Sequence, residues 1–260
     1  MVLFLITGLL GLSLLINSLK HSPEMMPSPS LDSKLIADLI TLQAPTVTPT
    51  PLPEPIAIPT PQTTPTEAAL PIPTLPEEHH IEISGHRQYF KIGCEASAAV
   101  DWAAYFGTEI VEFDFQYKLP ISDNPDYGFV GSVDSPWGQV PPYAYGVHAG
   151  PVSDLLNQYQ VPARAVKNYS LEEVKAQLAR DNPIIAWVIG NMVGGIPAEF
   201  IDSQGRKSIV AAYEHVVILT GYNEKIQRIR YLNNGKFYEI PYDVFLNSWN
   251  VLGRMAVVRD

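Results

Sequence analysis

The chain has 260 residues, a formal net charge of −10 and a single cysteine. The acidic charge leaves no basic face that could neutralise phosphates, so we expect no nucleic-acid partner. One cysteine excludes an internal disulfide and a zinc module built on several thiolates. Any thiol chemistry in this protein therefore belongs to Cys94 alone.

The first 22 residues are predicted to form an N-terminal anchor or a signal segment. Residues 2–16 are apolar, which is shorter than the roughly 20 residues of a spanning helix but fits the apolar core of a signal peptide. The first basic residue is Lys20, so the charged leader typical of a signal peptide is missing. Both alternatives stay open, and we expect contact with a membrane only through this segment.

Residues 23–78 are predicted to form a disordered stalk. From Pro45 to Pro76 the chain has 11 prolines and 8 threonines, with no glycine and no aromatic residue. Proline fixes φ and removes the backbone N–H, so this stretch favours extended polyproline II and cannot build a core. An apolar segment, a semi-rigid spacer and a globular region together predict an extracytoplasmic domain, either secreted or anchored at the cell surface.

Residues 79–260 are long enough to bury a core as one domain, and their composition changes to one rich in aromatic and β-branched residues. Helices are predicted at 94–106, 151–160 and 171–180, with an irregular stretch, 114–149, after the first. Ser170 and Glu173 are spaced as a capping box before the last of these helices.

The pattern after these helices is that of strands. "PIIAWVIG" and "EHVVILTGYN" are β-branched runs bounded by turn residues, and "QRIRYL" and "KFYEI" flank "NNG", a sequence typical of a hairpin turn. A short helix, "YDVFLNSW", precedes the last strand, "RMAVV". Helices followed by a mostly antiparallel sheet are the order of an α+β domain.

Cys94 follows Gly93 and opens the first helix, in "QYFKIGCEASAAVDW". A thiol acts as a nucleophile through its thiolate, and a helix N-terminus or an imidazolium lowers its pKa. The alternative is that Cys94 is a small buried apolar residue. Gln88 precedes the cysteine by six residues, so its amide and the Cys94 N–H could together hold an oxyanion. By itself, Gln88 is equally compatible with a solvated loop residue.

His215 is the best candidate for a general base, because it begins a strand that would hold its ring rigidly. His21, His79 and His80 are expected to be solvated, His86 lies too close to the cysteine in sequence, and His148 could line a cleft. A third group must orient the imidazole, and the "NNG" turn after the neighbouring strand offers Asn233 and Asn234. Strand alternation allows only one of them to face His215, and either could be a turn residue.

These features in this order resemble the papain-fold cysteine peptidases, and more narrowly the bacteriocin-leader-peptidase-like group (family C-39-like), over residues 84–258. The resemblance implies a papain-like α+β fold with a catalytic helix in its N-terminal part and a C-terminal antiparallel sheet. It implies Cys94 as nucleophile, His215 as base, Asn234 as the orienting residue and Gln88 as oxyanion donor. It also implies a monomer that acts on a peptide or amide substrate without a cofactor or metal. The stretch 114–145 is expected to form one wall of the cleft.

The sequence departs from that group at two positions. Glu95 stands where the group usually has glycine, and we expect it to offset part of the lowering of the thiol pKa. The expected orienting residue, Asn234, is followed by glycine, whereas the group commonly has Asp followed by proline at this place. "NSW" resembles a papain-type segment, but we expect its Asn247 to be a packing residue. Three alternatives are an acyltransferase on the same site, a catalytically silent binding domain, and a metal hydrolase built on "HHIEISGH".

Overall fold

The computed structural model describes residues 74–260. The predicted anchor or signal segment, 1–22, lies outside the described residues, and so does the predicted stalk up to residue 73. Among the described residues, no helix has both the length and the apolar character needed to span a membrane.

The helices lie mostly where the sequence pattern predicts them. Their bounds are α1 Cys94–Tyr105, α2 Glu112–Lys118, α3 Ala149–Gln158, α4 Leu171–Leu178 and α5 Tyr242–Trp249. The prediction of an irregular stretch from 114 onward is wrong at its start, because α2 lies there. This helix is only two turns long, and its Phe115 is fully buried. Burial of this ring stabilises a helix too short to show a clear period in sequence.

The capping box at α4 is confirmed. Ser170 Oγ accepts the N–H of Glu173 at 3.2 Å, and Glu173 Oε2 accepts the N–H of Ser170 at 2.8 Å. The two side chains thereby satisfy N–H groups that the first turn of a helix leaves free.

The sheet is antiparallel at every described pairing. It has seven strands, in the order β2-β9-β3-β6-β7-β8, with β1 also paired to β6. A separate two-stranded hairpin consists of β4 and β5. The strand bounds are β1 Glu78–His80, β2 Ala163–Val166, β3 Ile184–Ile189, β4 Ala198–Ile201, β5 Lys207–Val210, β6 Glu214–Asn223, β7 Arg228–Asn233, β8 Lys236–Pro241 and β9 Ala256–Arg259.

Both faces of the sheet are covered, which explains why β3 is apolar at every position. Ile185, Trp187 and Ile189 belong to the core that contains α1 and α3, whereas Ile184 and Val188 belong to the core that contains α4 and α5. Successive side chains of a strand point to opposite faces, so a strand between two layers must be apolar throughout. The α+β order predicted from the sequence is confirmed.

This arrangement positions the candidate site. Helix α1 packs on β6. Cys94 is the first residue of α1 and His215 is the second residue of β6, so this packing concerns both residues singled out in the sequence. The predicted hairpin joins β7 to β8 through Asn234 and Gly235, whose φ angles are 49° and 72°. Two consecutive residues with positive φ are typical of a tight two-residue turn that follows the twist of the strands.

Candidate active site

Cys94 is the first residue of α1 and lies at the wall of a cavity. Gly93 precedes it, and the carbonyl of Gly93 accepts the N–H of Ser97 at 3.0 Å as the first turn forms. The residue is 6% exposed, and it lines a cavity of about 370 Å³ together with His215, Gln88 and Trp137. The thiol and the imidazole singled out in the sequence therefore line the same cavity.

The ring of His215 is held by Asn233. His215 Nε2 lies 2.9 Å from Asn233 Oδ1, and the side-chain amide of Asn234 donates to the same oxygen at 3.1 Å. Asn233 Oδ1 can only accept hydrogen bonds, so His215 Nε2 must carry the proton that is donated to it. In the neutral ring Nδ1 then has no proton and can accept one. Burial lowers the pKa of His215, and the bond to Asn233 opposes that effect. The ring is therefore neutral at physiological pH.

The structure corrects the residue assigned to orient the imidazole. The resemblance pointed to Asn234, but Asn233 makes the contact with His215. Asn233 is the last residue of β7, whereas Asn234 lies in the turn, and its Oδ1 accepts the backbone N–H of Gln88 at 3.0 Å. The sequence allowed either asparagine to face His215. The end of β7 at Asn233 decides which of the two contacts the ring.

Gln88 lies in the cavity, but its amide is engaged elsewhere. Its Nε2 donates to the carbonyl oxygens of Phe90 at 2.7 Å and Lys91 at 3.2 Å. An oxyanion would have to replace these carbonyls as the acceptor. The N–H of Cys94 belongs to the first turn of α1, where N–H groups have no acceptor within the helix.

Two buried glutamates adjoin the thiol. Glu95 is 0% exposed and Glu214 is 3% exposed. Cys94 Sγ donates to Glu95 Oε2 at 3.3 Å, and Glu95 Oε1 accepts the N–H of Val147 at 2.7 Å. Cys94, Glu95 and Glu214 each present one sulfur or carboxylate oxygen, and these three atoms lie within 4.8 Å of one another. Glu95 stands out in the sequence because it follows the cysteine, whereas no sequence signal marks Glu214, which looks like the polar first residue of a strand.

The backbone at Gly146 makes room for this pair. Gly146 has a φ of 122°, and a Cβ there would lie 2.2 Å from Glu95 Oε1 and 3.3 Å from Glu214 Oε2. A side chain at this position would therefore be strained in its backbone and would displace the carboxylates.

Burial and the carboxyl pair together keep the thiol protonated. Burial is the largest cause that raises the pKa of Cys94 well above its ordinary value, and the charges of Glu95 and Glu214 raise it further. Burial raises the pKa of Glu95 to about 7. Burial and the neighbouring Glu95 raise that of Glu214 well above its usual range. Glu95 therefore acts on the thiol pKa in the expected direction but second to burial, and Cys94 is a neutral thiol in the free protein.

Aromatic side chains line the cavity. Trp137 donates from Nε1 to the carbonyl of Glu214 at 2.8 Å, and its ring centroid is 6.1 Å from that of His215. Trp137 belongs to the stretch 114–145, which the sequence predicted as one wall. Tyr89, which is exposed, and Phe90 also line the cavity, and both pack against the ring of Phe113.

The other predicted candidates lie apart from this site or have different partners. His79 contacts Asp181, His80 contacts Glu78, and His86 contacts both Asp101 and Glu112. These three histidines therefore do not converge on one centre, as the metal-hydrolase alternative required. His148 is buried with its Nδ1 on Asp126 at 2.9 Å, and Asn247 is an exposed residue of α5.

Several solved structures are similar to this chain. A protein from Bacillus anthracis described as a C39-like peptidase superposes with a TM-score of 0.61 at 19% identity, covering 70% of this chain and 97% of that one. A double glycine motif protease from an AMS/PCAT transporter, solved with the leader peptide, gives a TM-score of 0.42 at 14% identity, with coverages of 69% and 92%. Xylellain, a cysteine protease from Xylella fastidiosa, gives 0.38 at 14% identity, with coverages of 72% and 87%. No curated protein sequence matches.

The mixed helical and antiparallel architecture is that of the papain-like cysteine peptidases. The family model described as Peptidase C39 like matches residues 73–257. The chain belongs to the Peptidase C39 like family.

Proposed function

We propose that this protein is a cysteine peptidase that hydrolyses a peptide or related amide, with Cys94 as nucleophile, His215 as base and Asn233 as the orienting residue. The observation that carries this proposal is the shared cavity, which the lone thiol and the Asn233-bound imidazole both line. Membership of a peptidase family supports it.

The charge states favour a mechanism that starts from a neutral thiol and a neutral imidazole. Cys94 Sγ attacks the carbonyl carbon while its proton passes to Nδ1 of His215, and Asn233 Oδ1 stabilises the imidazolium through Nε2–H. The C–N bond then breaks, the leaving amine takes the proton from Nδ1, and a thioester remains on Cys94. Water, deprotonated by His215, hydrolyses that thioester and regenerates the thiol.

The negative oxygen of the tetrahedral intermediate needs hydrogen-bond donors. The Cys94 N–H and the Gln88 amide are the proposed donors, as the family resemblance implies. Gln88 must exchange its bonds to Phe90 and Lys91 for a bond to the substrate oxygen, and this rearrangement belongs to the proposal. Preorganised donors of this kind contribute about 2.7–4 kcal/mol in other enzymes, so Gln88→Ala should reduce kcat about 100- to 1,000-fold.

The surroundings of the site suggest which substrates fit. Trp137 and Phe90 line the same cavity as the thiol, so we propose that an apolar side chain next to the scissile bond is preferred. The N-terminal apolar segment and the stalk lead us to propose an extracytoplasmic location, secreted or anchored through that segment, for a domain that acts as a monomer.

One observation favours a second candidate, a catalytically silent binding domain. The thiol is buried, protonated and hydrogen-bonded to Glu95 instead of to an imidazole. The two candidates differ in whether His215 increases the reactivity of Cys94.

The experiment incubates the purified domain with a mixture of defined peptides and identifies cleavage products by mass spectrometry. Wild type is compared with Cys94→Ala, His215→Ala and the control Asn247→Ala, which changes an exposed residue of α5. The proposal expects products from wild type and from the control, at least about a 100-fold lower rate from His215→Ala, and none from Cys94→Ala. Equal product formation by wild type and Cys94→Ala would refute it.

Labelling of Cys94 by an electrophilic peptide at a rate independent of His215 would favour the silent domain. Adding a primary amine and searching for amide products tests for acyl transfer.

A further inference from the structure

The buried group formed by Cys94, Glu95 and Glu214, here called the thiol–carboxylate cluster, has the composition of a metal site. Its three ligand atoms lie within 4.8 Å of one another, and all three residues are buried. Such closeness of three acidic groups is unusual in a protein interior, because each of them is costly to ionise there.

A second observation points to a ligand at this cluster. Glu214 Oε1 is buried and has no hydrogen-bond partner among the described residues, although buried carboxylate oxygens are normally paired. Nor does either glutamate form an ion pair with a Lys, Arg or His in that part of the chain. The cluster therefore offers an acceptor that a cation or a proton must satisfy.

The donor set selects the kind of cation. One thiolate and two carboxylates are ligands that Zn²⁺ accepts in tetrahedral geometry, with a fourth position open to water or another ligand. Bond lengths of roughly 2.3 Å to sulfur and 2.1 Å to oxygen place those two ligand atoms roughly 3.6 Å apart in a tetrahedron. The separation between Cys94 Sγ and Glu95 Oε2 is 3.3 Å. The distance between these two atoms is therefore already close to the one that a bound Zn²⁺ requires.

The cavity meets the cluster at the thiol. Cys94 lines the cavity of about 370 Å³, and its sulfur lies within 4.8 Å of a carboxylate oxygen of each glutamate. His215 lines the same cavity, so its imidazole is a candidate for the fourth ligand.

We propose that the thiol–carboxylate cluster is a binding site for Zn²⁺, and that the bound ion occupies the Cys94 sulfur and blocks it as a nucleophile. The blocking clause rests on the proposed peptidase function, whereas the binding clause does not. Coordination exchanges the S–H bond for a Zn–S bond and displaces any carboxyl proton, so binding releases protons to solvent. The S–H of Cys94 donates to Glu95 Oε2, so at least this proton must be displaced.

The binding test uses the full domain and the metal alone. Zn²⁺ affinity is measured by competition with a chromophoric chelator, and Co²⁺ is used as a spectroscopic probe because a thiolate–Co²⁺ bond gives a charge-transfer absorption. Wild type should bind one Zn²⁺ with release of protons and show that absorption. Glu95→Gln and Glu214→Gln keep the side-chain shape, and each should weaken Zn²⁺ binding roughly 100-fold or more, since even loss of an outer partner costs about 10- to 100-fold. Glu199→Gln, an exposed change in β4, is the matched control and should leave binding unchanged.

Two measurements on the unaltered chain guard against misfolded variants. Alkylation of Cys94 should abolish Zn²⁺ binding, and Zn²⁺ should protect Cys94 from alkylation. Absence of one-to-one binding to wild type, or equal affinities for wild type and both glutamine variants, would overturn the proposal. Zn²⁺ binding without activity in any condition would refute the peptidase proposal and leave the metal site standing. Activity with no Zn²⁺ binding would refute the metal-site proposal and leave the peptidase proposal standing.

Discussion

Replacing Asn233 with alanine should impair catalysis by removing the acceptor that orients His215. The 2.9 Å bond from His215 Nε2 to Asn233 Oδ1 becomes charge-assisted when the imidazolium forms in the transition state. Hydrogen bonds to charged groups contribute about 1.5–3 kcal/mol, which corresponds to a loss of about 10- to 150-fold in kcat/KM. Unfolding free energy should fall by about 1–3 kcal/mol, because a buried N–H is left without an acceptor.

The pH profile provides a second readout with a defined sign. The bond to Asn233 raises the pKa of His215 against the lowering effect of burial. Asn233→Ala should therefore lower the pKa further, so the acid limb of kcat/KM should move to lower pH. Asn233→Asp keeps an acceptor and adds negative charge, so it should retain most activity and move the acid limb to higher pH.

The matched control is Asn234→Gly. Glycine adopts the positive φ of this turn position without strain, and the change removes only the bonds to Gln88 and to Asn233 Oδ1. Rates are measured with the best peptide from the cleavage screen, beside urea unfolding of each variant. A larger loss of kcat/KM in Asn234→Gly than in Asn233→Ala would refute the assignment of the orienting role to Asn233.

Three further predictions concern the charge of the site and the stability of the domain. Glu95→Gln should lower the pKa of Cys94 by removing a neighbouring charge, so alkylation by iodoacetamide should become faster above about pH 7; an unchanged rate–pH profile would contradict this. His86 has a raised pKa because its bonds to two carboxylates outweigh burial, so it stabilises the fold at acidic pH and that stability is lost as pH rises through the raised value. His86→Ala should therefore destabilise the domain more in acidic than in alkaline buffer in thermal unfolding, and a pH-independent difference would count against it. Ser170→Ala should cost about 1 kcal/mol of unfolding free energy through loss of the cap while leaving kcat unchanged, and a loss of activity would show that α4 affects the site.

The sequence was most informative where local physics dominates. The capping box at Ser170, the two-residue turn at Asn234-Gly235 and the helix that begins at Cys94 each depend on residues close together in the chain. Helix α2 was missed because its stability comes from burying Phe115 in a core assembled from distant segments. The hairpin of β4 and β5 was missed because each strand has only four residues and its polarity does not follow its burial: in β5 a buried position holds Ser208 and an exposed one Ile209.

The sequence by itself determined which residues could take part in thiol chemistry: a lone cysteine at a helix start, a histidine at the start of a core strand, and an asparagine at a hairpin. Tertiary structure decided which asparagine meets His215, because one residue of register separates the end of β7 from its turn. It also decided the charge of the thiol, because Glu214 comes from β6 and reaches Cys94 only when α1 packs on that strand. The pKa of a buried group depends on its solvation and on every nearby charge, and packing in three dimensions sets both.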